Sequence, residues 1–181
     1  MKTTNANRES GFTLLELLLV IGVAALLLIG GIATYRLVSD GNKSTEATRL
    51  LLTLRQETQT MAQQQGGNYA GIEFDTTDGT AATGPLITSG TLRAGQRNPF
   101  NGNIVVKSEA SDANVSVQFT NLSQAGCSKL AQAVTNNNEV VSVAVGKDGG
   151  AGTALTFPIN ASTVATACSG GTTYGITWQF P

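Results

Sequence analysis

Gly11-Phe12-Thr13-Leu14-Leu15-Glu16 opens a run, LLLVIGVAALLLIGGIATY from Leu17 to Tyr35, that carries no charge over 19 positions and is closed by Arg36. As a helix at about 1.5 Å per residue, that run reaches close to 30 Å, enough to cross a hydrocarbon core. The residues before it, Met1 to Gly11, are polar and include Lys2, Arg8 and Glu9. A cleaved secretory signal has a shorter apolar region with a small-residue cleavage site behind it, and Gly30, Gly31 and Ala33 offer only a weak one. A plain single-pass anchor fits the length but leaves Glu16 without a reason. A carboxylate at the bilayer centre costs about 2.5–3.5 kcal/mol, and less near the interface. A charged partner makes better sense of it.

Gly, a hydrophobic residue and a Glu five positions after the Gly, all opening a spanning helix, resemble the processing and assembly motif of type IV pilins and their pseudopilin relatives. The resemblance implies a membrane-embedded prepilin peptidase that cuts between Gly11 and Phe12 on the cytoplasmic side and N-methylates Phe12. It makes Glu16 the assembly residue, neutralising the new Phe12 ammonium of an adjacent copy in a filament core. Breaking one partner of such a buried pair costs about 3–5 kcal/mol, so Glu16 would set the axial register between subunits. The family has a basic residue close to the glycine; here Glu9 and Ser10 intervene and the nearest is Arg8. Lys2 and Arg8 still favour a cytoplasmic leader.

Composition narrows the field from the other side. The net charge of −1 in 181 residues gives no electrostatic footprint for nucleic acid, and none is expected as a partner. The chain has no histidine, which removes Ser-His-Asp and Cys-His arrangements and the commonest zinc ligand. Carboxylate-only chemistry stays open, but the expectation is a non-enzyme with no cofactor and no metal. Cys127 and Cys168 lie in the part expected to be exported, where an even pair reads as a disulfide. Two separate buried thiols are the alternative. A bridge closing a loop of about 40 residues is worth roughly 4 kcal/mol.

Beyond Arg36 the helix is expected to continue to Gln64, with Ala47, Leu51, Leu54, Thr58 and Met61 forming a one-sided stripe that would pack on a sheet. Gly30-Gly31 and Gly41-Asn42 are weak points where it could unwind or bend. Residues 66–97, rich in Gly, Thr and Ala, read as a long surface connection with room for a short helix or hairpin. Arg97-Asn98-Pro99-Phe100-Asn101-Gly102-Asn103 is a turn launching a strand at Ile104-Val105-Val106. It is similar to an Asn-Pro-Phe-Gly-Gly-type turn of type IVb pilins, with Asn101 in place of the first glycine. Val115–Phe119 alternates as a strand, and Ser123 caps a short helix carrying Cys127. That Leu-Ser-Gln-x-x-Cys helix is again similar to type IVb pilins, whose bridge would pair Cys127 with Cys168. Val140–Val145 and Leu155–Ile159 read as further strands. Tyr174, Ile176, Trp178 and Phe180 share one face of a last strand, as core or, less economically, as an aromatic carbohydrate patch. Asp75, Asp78, Asp112 and Asp148 lack calcium-loop spacing and read as solvated turn residues.

The expected fold is α+β: a long N-terminal helix whose membrane-spanning first half precedes a second half packed on an antiparallel sheet, closed by a C-terminal disulfide. Residues 1–11 would be the leader, 12–38 the hydrophobic transmembrane and assembly helix, and 39–181 the globular head. The resemblance implies the subunit of a type IV pilus, favouring type IVb although Phe12 and the short leader lean toward type IVa. Its partners would be copies of itself, the prepilin peptidase, the inner-membrane assembly machinery and, before assembly, lipid. It would sit in the inner membrane and then in a surface filament serving adhesion, aggregation, conjugation or DNA uptake. A pseudopilin of a type II secretion system and a membrane-anchored enzyme or binding protein are the rivals.

Overall fold

The computed structural model describes residues 13–77, 82–109, 112–133, 140–150 and 152–181. They fall into two units, one ending at Ser39 and the other running Asp40–Pro181; the helix α1 (Leu14–Gln64) contributes to both. α1 is helical without interruption through Gly30-Gly31 and Gly41-Asn42, so neither pair breaks it. Around Gly41 three hydroxyls bond back to the carbonyls one turn earlier. Ser44 Oγ donates to the Asp40 carbonyl, Thr45 Oγ1 to Gly41 and Thr48 Oγ1 to Ser44. A Cβ on Gly41 would sit 3.6 Å from Lys129 Nζ, an ordinary contact, so packing does not require the glycine there.

In the second unit the buried face of α1 is Ser44, Ala47, Leu51, Leu54, Thr58 and Ala62, a three-and-four spacing. Met61, expected to close this stripe, is half-buried, because Ala62 lies one full turn beyond Thr58 and takes the inward place. Each fully buried leucine here contributes about 1.5–3 kcal/mol.

Among the described residues six strands form one antiparallel sheet. They are β1 (Phe74–Asp75), β2 (Ile104–Glu109), β3 (Asn114–Leu122), β4 (Ser142–Lys147), β5 (Thr153–Ala154) and β6 (Tyr174–Phe180). Their order is β1-β2-β3-β6-β4-β5, so the last strand of the chain lies in the middle. Pairing of Val115, Val117 and Phe119 with Phe180, Trp178 and Ile176 puts the apolar residues of β3 and β6 on one face. Val143 and Val145 continue that face in β4. The Phe119 and Trp178 rings meet edge to face, 5.5 Å between centroids. Trp178 is completely buried, which decides for the core and against a surface carbohydrate patch. Arg55 of α1 stacks over Phe180 at 5.3 Å, and Tyr69, just past α1, donates from its hydroxyl to the Pro181 carbonyl at 2.8 Å.

Three expectations need correction. Residues 66–97 are more than a surface connection. The expected short helix is present as the single turn α2 (Pro85–Thr88), but the stretch also holds β1 and buries Tyr69, Ile72, Phe74, Leu86 and Leu92. Leu155–Ile159 is not a strand. β5 stops at Ala154 after two residues, one further bond runs from Leu155 N to Val143 O, and the chain turns away at Phe157-Pro158. It then enters α4 (Ala161–Ala167), capped by Asn160, whose Oδ1 accepts from Thr163 N at 2.8 Å. Finally, Asp75 is not a solvated turn residue. It is buried in β1, and its carboxylate meets Lys107 Nζ at 2.8 Å. Asp78 lies outside the described residues.

Candidate functional site

The first turn of α1 explains how Glu16 is presented. Thr13 precedes the helix and caps it: its carbonyl accepts from Leu17 N at 3.1 Å and its Oγ1 from Glu16 N at 3.3 Å. A Thr followed three residues later by Glu is a capping-box signature, legible in Thr13-Leu14-Leu15-Glu16 though the motif reading passed over it. Glu16 is the one acidic residue in the first turn of α1. Gly11 and Phe12, the expected cleavage and methylation positions, lie outside the described residues.

From Leu14 to Ile32, 19 residues of α1 are apolar enough and long enough to cross a membrane, and none of that stretch is buried within the chain. Leu14 is 77% exposed and Leu26 72%. An apolar surface of this extent is stable only against lipid or other protein. The single charge within residues 11–35 is Glu16.

In the second unit, two features expected from the sequence come together around α3 (Gln124–Ala133). Ser123 caps α3, accepting from Gly126 N at 3.1 Å, and donates to Asp40 Oδ2 at 3.0 Å, which ties α3 to α1. Cys127 in α3 is bonded to Cys168 at the end of α4, with 5.9 Å between Cα atoms and neither residue exposed. The Arg97–Asn103 turn packs on the same helix, where a Cβ on Gly126 would meet Phe100 Cζ at 2.6 Å. Lys43 of α1 lies 6.0 Å from the Phe100 ring centroid on a cation–π path.

The turn is organised by Asn98, which is 3% exposed. Its Oδ1 accepts from Phe100 N at 2.9 Å and Gly102 N at 3.1 Å, and its Nδ2 donates to the carbonyls of Asn103 and Thr120. Gly102 is required because a side chain there would fall onto the Thr120 carbonyl, and Asn101 takes a left-handed φ of 61°.

Electrostatics elsewhere serve structure. Burial pushes the Asp75 carboxyl up, but the Lys107 ammonium and the Thr77 hydroxyl and N–H more than offset it, leaving its pKa below the ordinary value. Asp148, at the β4–β5 turn, is held low by the Thr172 hydroxyl and the N–H groups of Thr173 and Thr172. Among the described residues, no group of three or more His, Cys, Asp or Glu side chains could hold a metal. A groove of about 520 Å³ beside β5 and α4 is lined by Ser, Thr, Ala and short aliphatic side chains, with Lys147 its one charge.

Comparison with known proteins agrees with this anatomy. The crystal structure of TcpA, a type IV pilin from Vibrio cholerae El Tor biotype, superposes with a TM-score of 0.57 at 18% identity, over 77% of this chain and 99% of that one. A type IVb pilin from Salmonella typhi gives 0.48 at 15% identity, over 76% and 97%. No curated protein sequence matches the chain. The fold is thus that of a type IV pilin. A family model described as the prokaryotic N-terminal methylation motif matches residues 6–32, and one described as PilS N terminal matches residues 41–180. The chain belongs to the PilS family. Pilins are structural subunits that polymerise into filaments.

Proposed function

We propose that this chain is a prepilin. Residues 1–11 are its leader, residues 12–38 its transmembrane and assembly helix, and residues 39–181 its head. A prepilin peptidase cuts between Gly11 and Phe12 and the new amine of Phe12 is methylated. The apolar helix holds the subunit in the inner membrane, where the pilus assembly machinery collects it. The same surface then lines the core of an extracellular filament, exchanging lipid for neighbouring copies. There Glu16 neutralises the Phe12 ammonium of an adjacent subunit. An unpaired carboxylate in that core costs about 3–5 kcal/mol, enough to reject a misplaced subunit.

The observation that carries this reading is the wholly exposed apolar stretch Leu14–Ile32, bearing one carboxylate two residues into its helix and lying within the methylation-motif match. A pseudopilin is not favoured, because the PilS match runs the length of the head and the head carries the Cys127–Cys168 bridge. The filament would serve adhesion, aggregation, conjugative contact or DNA uptake. Intact-mass analysis of the chain recovered from the producing cell tests the reading. A chain beginning at Phe12, about 14 Da heavier when N-methylated, supports it. A chain beginning at Met1, or after residue 33, overturns it.

A further inference from the structure

Asn101-Gly102 is the one Asn-Gly pair in the chain, and this is the sequence at which a peptide most readily deamidates. A side chain that lacks Cβ on the following residue leaves that residue's nitrogen open to attack the preceding carboxamide. In the reaction the Gly102 nitrogen, having given up its proton to solvent, bonds to Asn101 Cγ and ammonia leaves. Water then opens the resulting succinimide at either carbonyl, giving an aspartyl or isoaspartyl residue. No oxidant, reductant or enzyme is needed.

The fold presents the two halves of this reaction very differently. Asn101 is exposed, and among the described residues no hydrogen bond holds its carboxamide. The nucleophile is the opposite: Gly102 is buried, its N–H donates to Asn98 Oδ1 at 3.1 Å, and its carbonyl accepts from Asn98 N at 3.0 Å. Asn98 is itself fixed by Nδ2 bonds to Asn103 O and, in β3, Thr120 O, so its Oδ1 cannot swing away without breaking both. The Gly102 backbone is pressed against the Thr120 carbonyl, and Asn101 is held in the left-handed region. Ring closure requires the Gly102 nitrogen to lose its proton and the Asn101 backbone to rotate, and both are opposed.

We propose that Asn101-Gly102 is a spontaneous deamidation site kept latent by the folded turn, with Asn98 as the residue that guards it. Modification would insert a backbone methylene or a carboxylate into the turn that carries Phe100. The site is a chemical record of turn opening: each event leaves a permanent mark at one residue.

The test incubates the full chain in detergent micelles in mildly alkaline buffer, native and in urea. Mass spectrometry follows the peptide containing Asn101 for a gain of about 1 Da and for isoaspartate. The native chain is expected to react at least about tenfold more slowly than the unfolded one, since reaction must wait for local opening. Asn98→Ala should approach the unfolded rate while circular dichroism still reports a folded head. Amide exchange of Gly102 in the parent chain gives a second reading if Asn98→Ala fails to fold: its N–H, held by Asn98 Oδ1, should exchange only through opening of the turn. Asn101→Gly, compatible with the positive φ, should abolish the mass gain. Equal rates in the native and unfolded chain overturn the proposal, as does a Gly102 amide that exchanges freely in the native chain.

Discussion

Replacing both Cys127 and Cys168 with alanine isolates the contribution of the C-terminal closure. The bridge spans 41 residues, and the chain-entropy relation for that length gives about 4 kcal/mol. Both residues are fully buried, so loss of two sulfurs also leaves small voids worth about 1 kcal/mol together. The sum approaches the whole stability of a typical domain, about 5–15 kcal/mol. Its effect should concentrate on α4, a helix of 7 residues whose one fully buried side chain is Val164 and which is too short to persist alone. Thermal unfolding of the full chain in detergent, followed by far-ultraviolet circular dichroism, should show the midpoint falling by about 15 °C. Amide exchange should show residues 161–173 opening before the β3–β6 pair. A midpoint within about 3 °C of the parent, or unchanged exchange in α4, would refute the reasoning. The buried sulfurs also predict that a thiol reductant acts on the native head only at the rate at which α4 opens.

Three further outcomes follow from the same geometry. Gly126→Leu should destabilise the head by about 2 kcal/mol or more, since even its Cβ would stand 2.6 Å from Phe100 Cζ; a denaturant midpoint equal to the parent's would count against that packing. Asp75 has a depressed folded pKa, so its stabilisation is complete above the unfolded carboxylate value and is lost as pH falls through the folded one. Lys107→Met should weaken that acid-side dependence by no more than about 1 kcal/mol, because Lys107 is half exposed, and superimposable pH–stability curves would dismiss the pair. Glu16→Val should leave processing largely intact yet abolish filaments in sheared surface fractions, each core amine being left unpaired at about 3–5 kcal/mol; filaments at normal abundance would dispose of the pairing.

Which parts were legible depends on how local the determining physics is. The Ala47–Leu51–Leu54–Thr58 face shows at helical spacing, and Val115–Phe119 and Tyr174–Phe180 alternate cleanly; each needs only its own neighbours. β1 is two residues long and has no period to read, because Phe74 and Asp75 are extended only by pairing with Val106 and Val105. Leu155, Phe157 and Ile159 mimic a strand pattern, but Pro158 interrupts it and Phe157 is 42% exposed. In Ala161–Ala167 threonine and valine mask a helix, whose one clear signal is the Asn160 cap. The turn at Asn98 could be read from Asn-Pro and Asn-Gly. Its bond to Thr120, 22 residues on, could not, since that partner is supplied by the register of β3. The burial of Asp75 likewise depends on the Lys107 that β2 brings to it.

Electron cryomicroscopy of filaments bearing this subunit examines the Glu16 pairing most directly. The expected density begins at Phe12, with its amine within about 4 Å of the Glu16 carboxylate of an adjacent copy, inside a core of Leu14–Ile32 helices. Density for residues 1–11 in the assembled subunit, or a Glu16 carboxylate facing no cation, would contradict it.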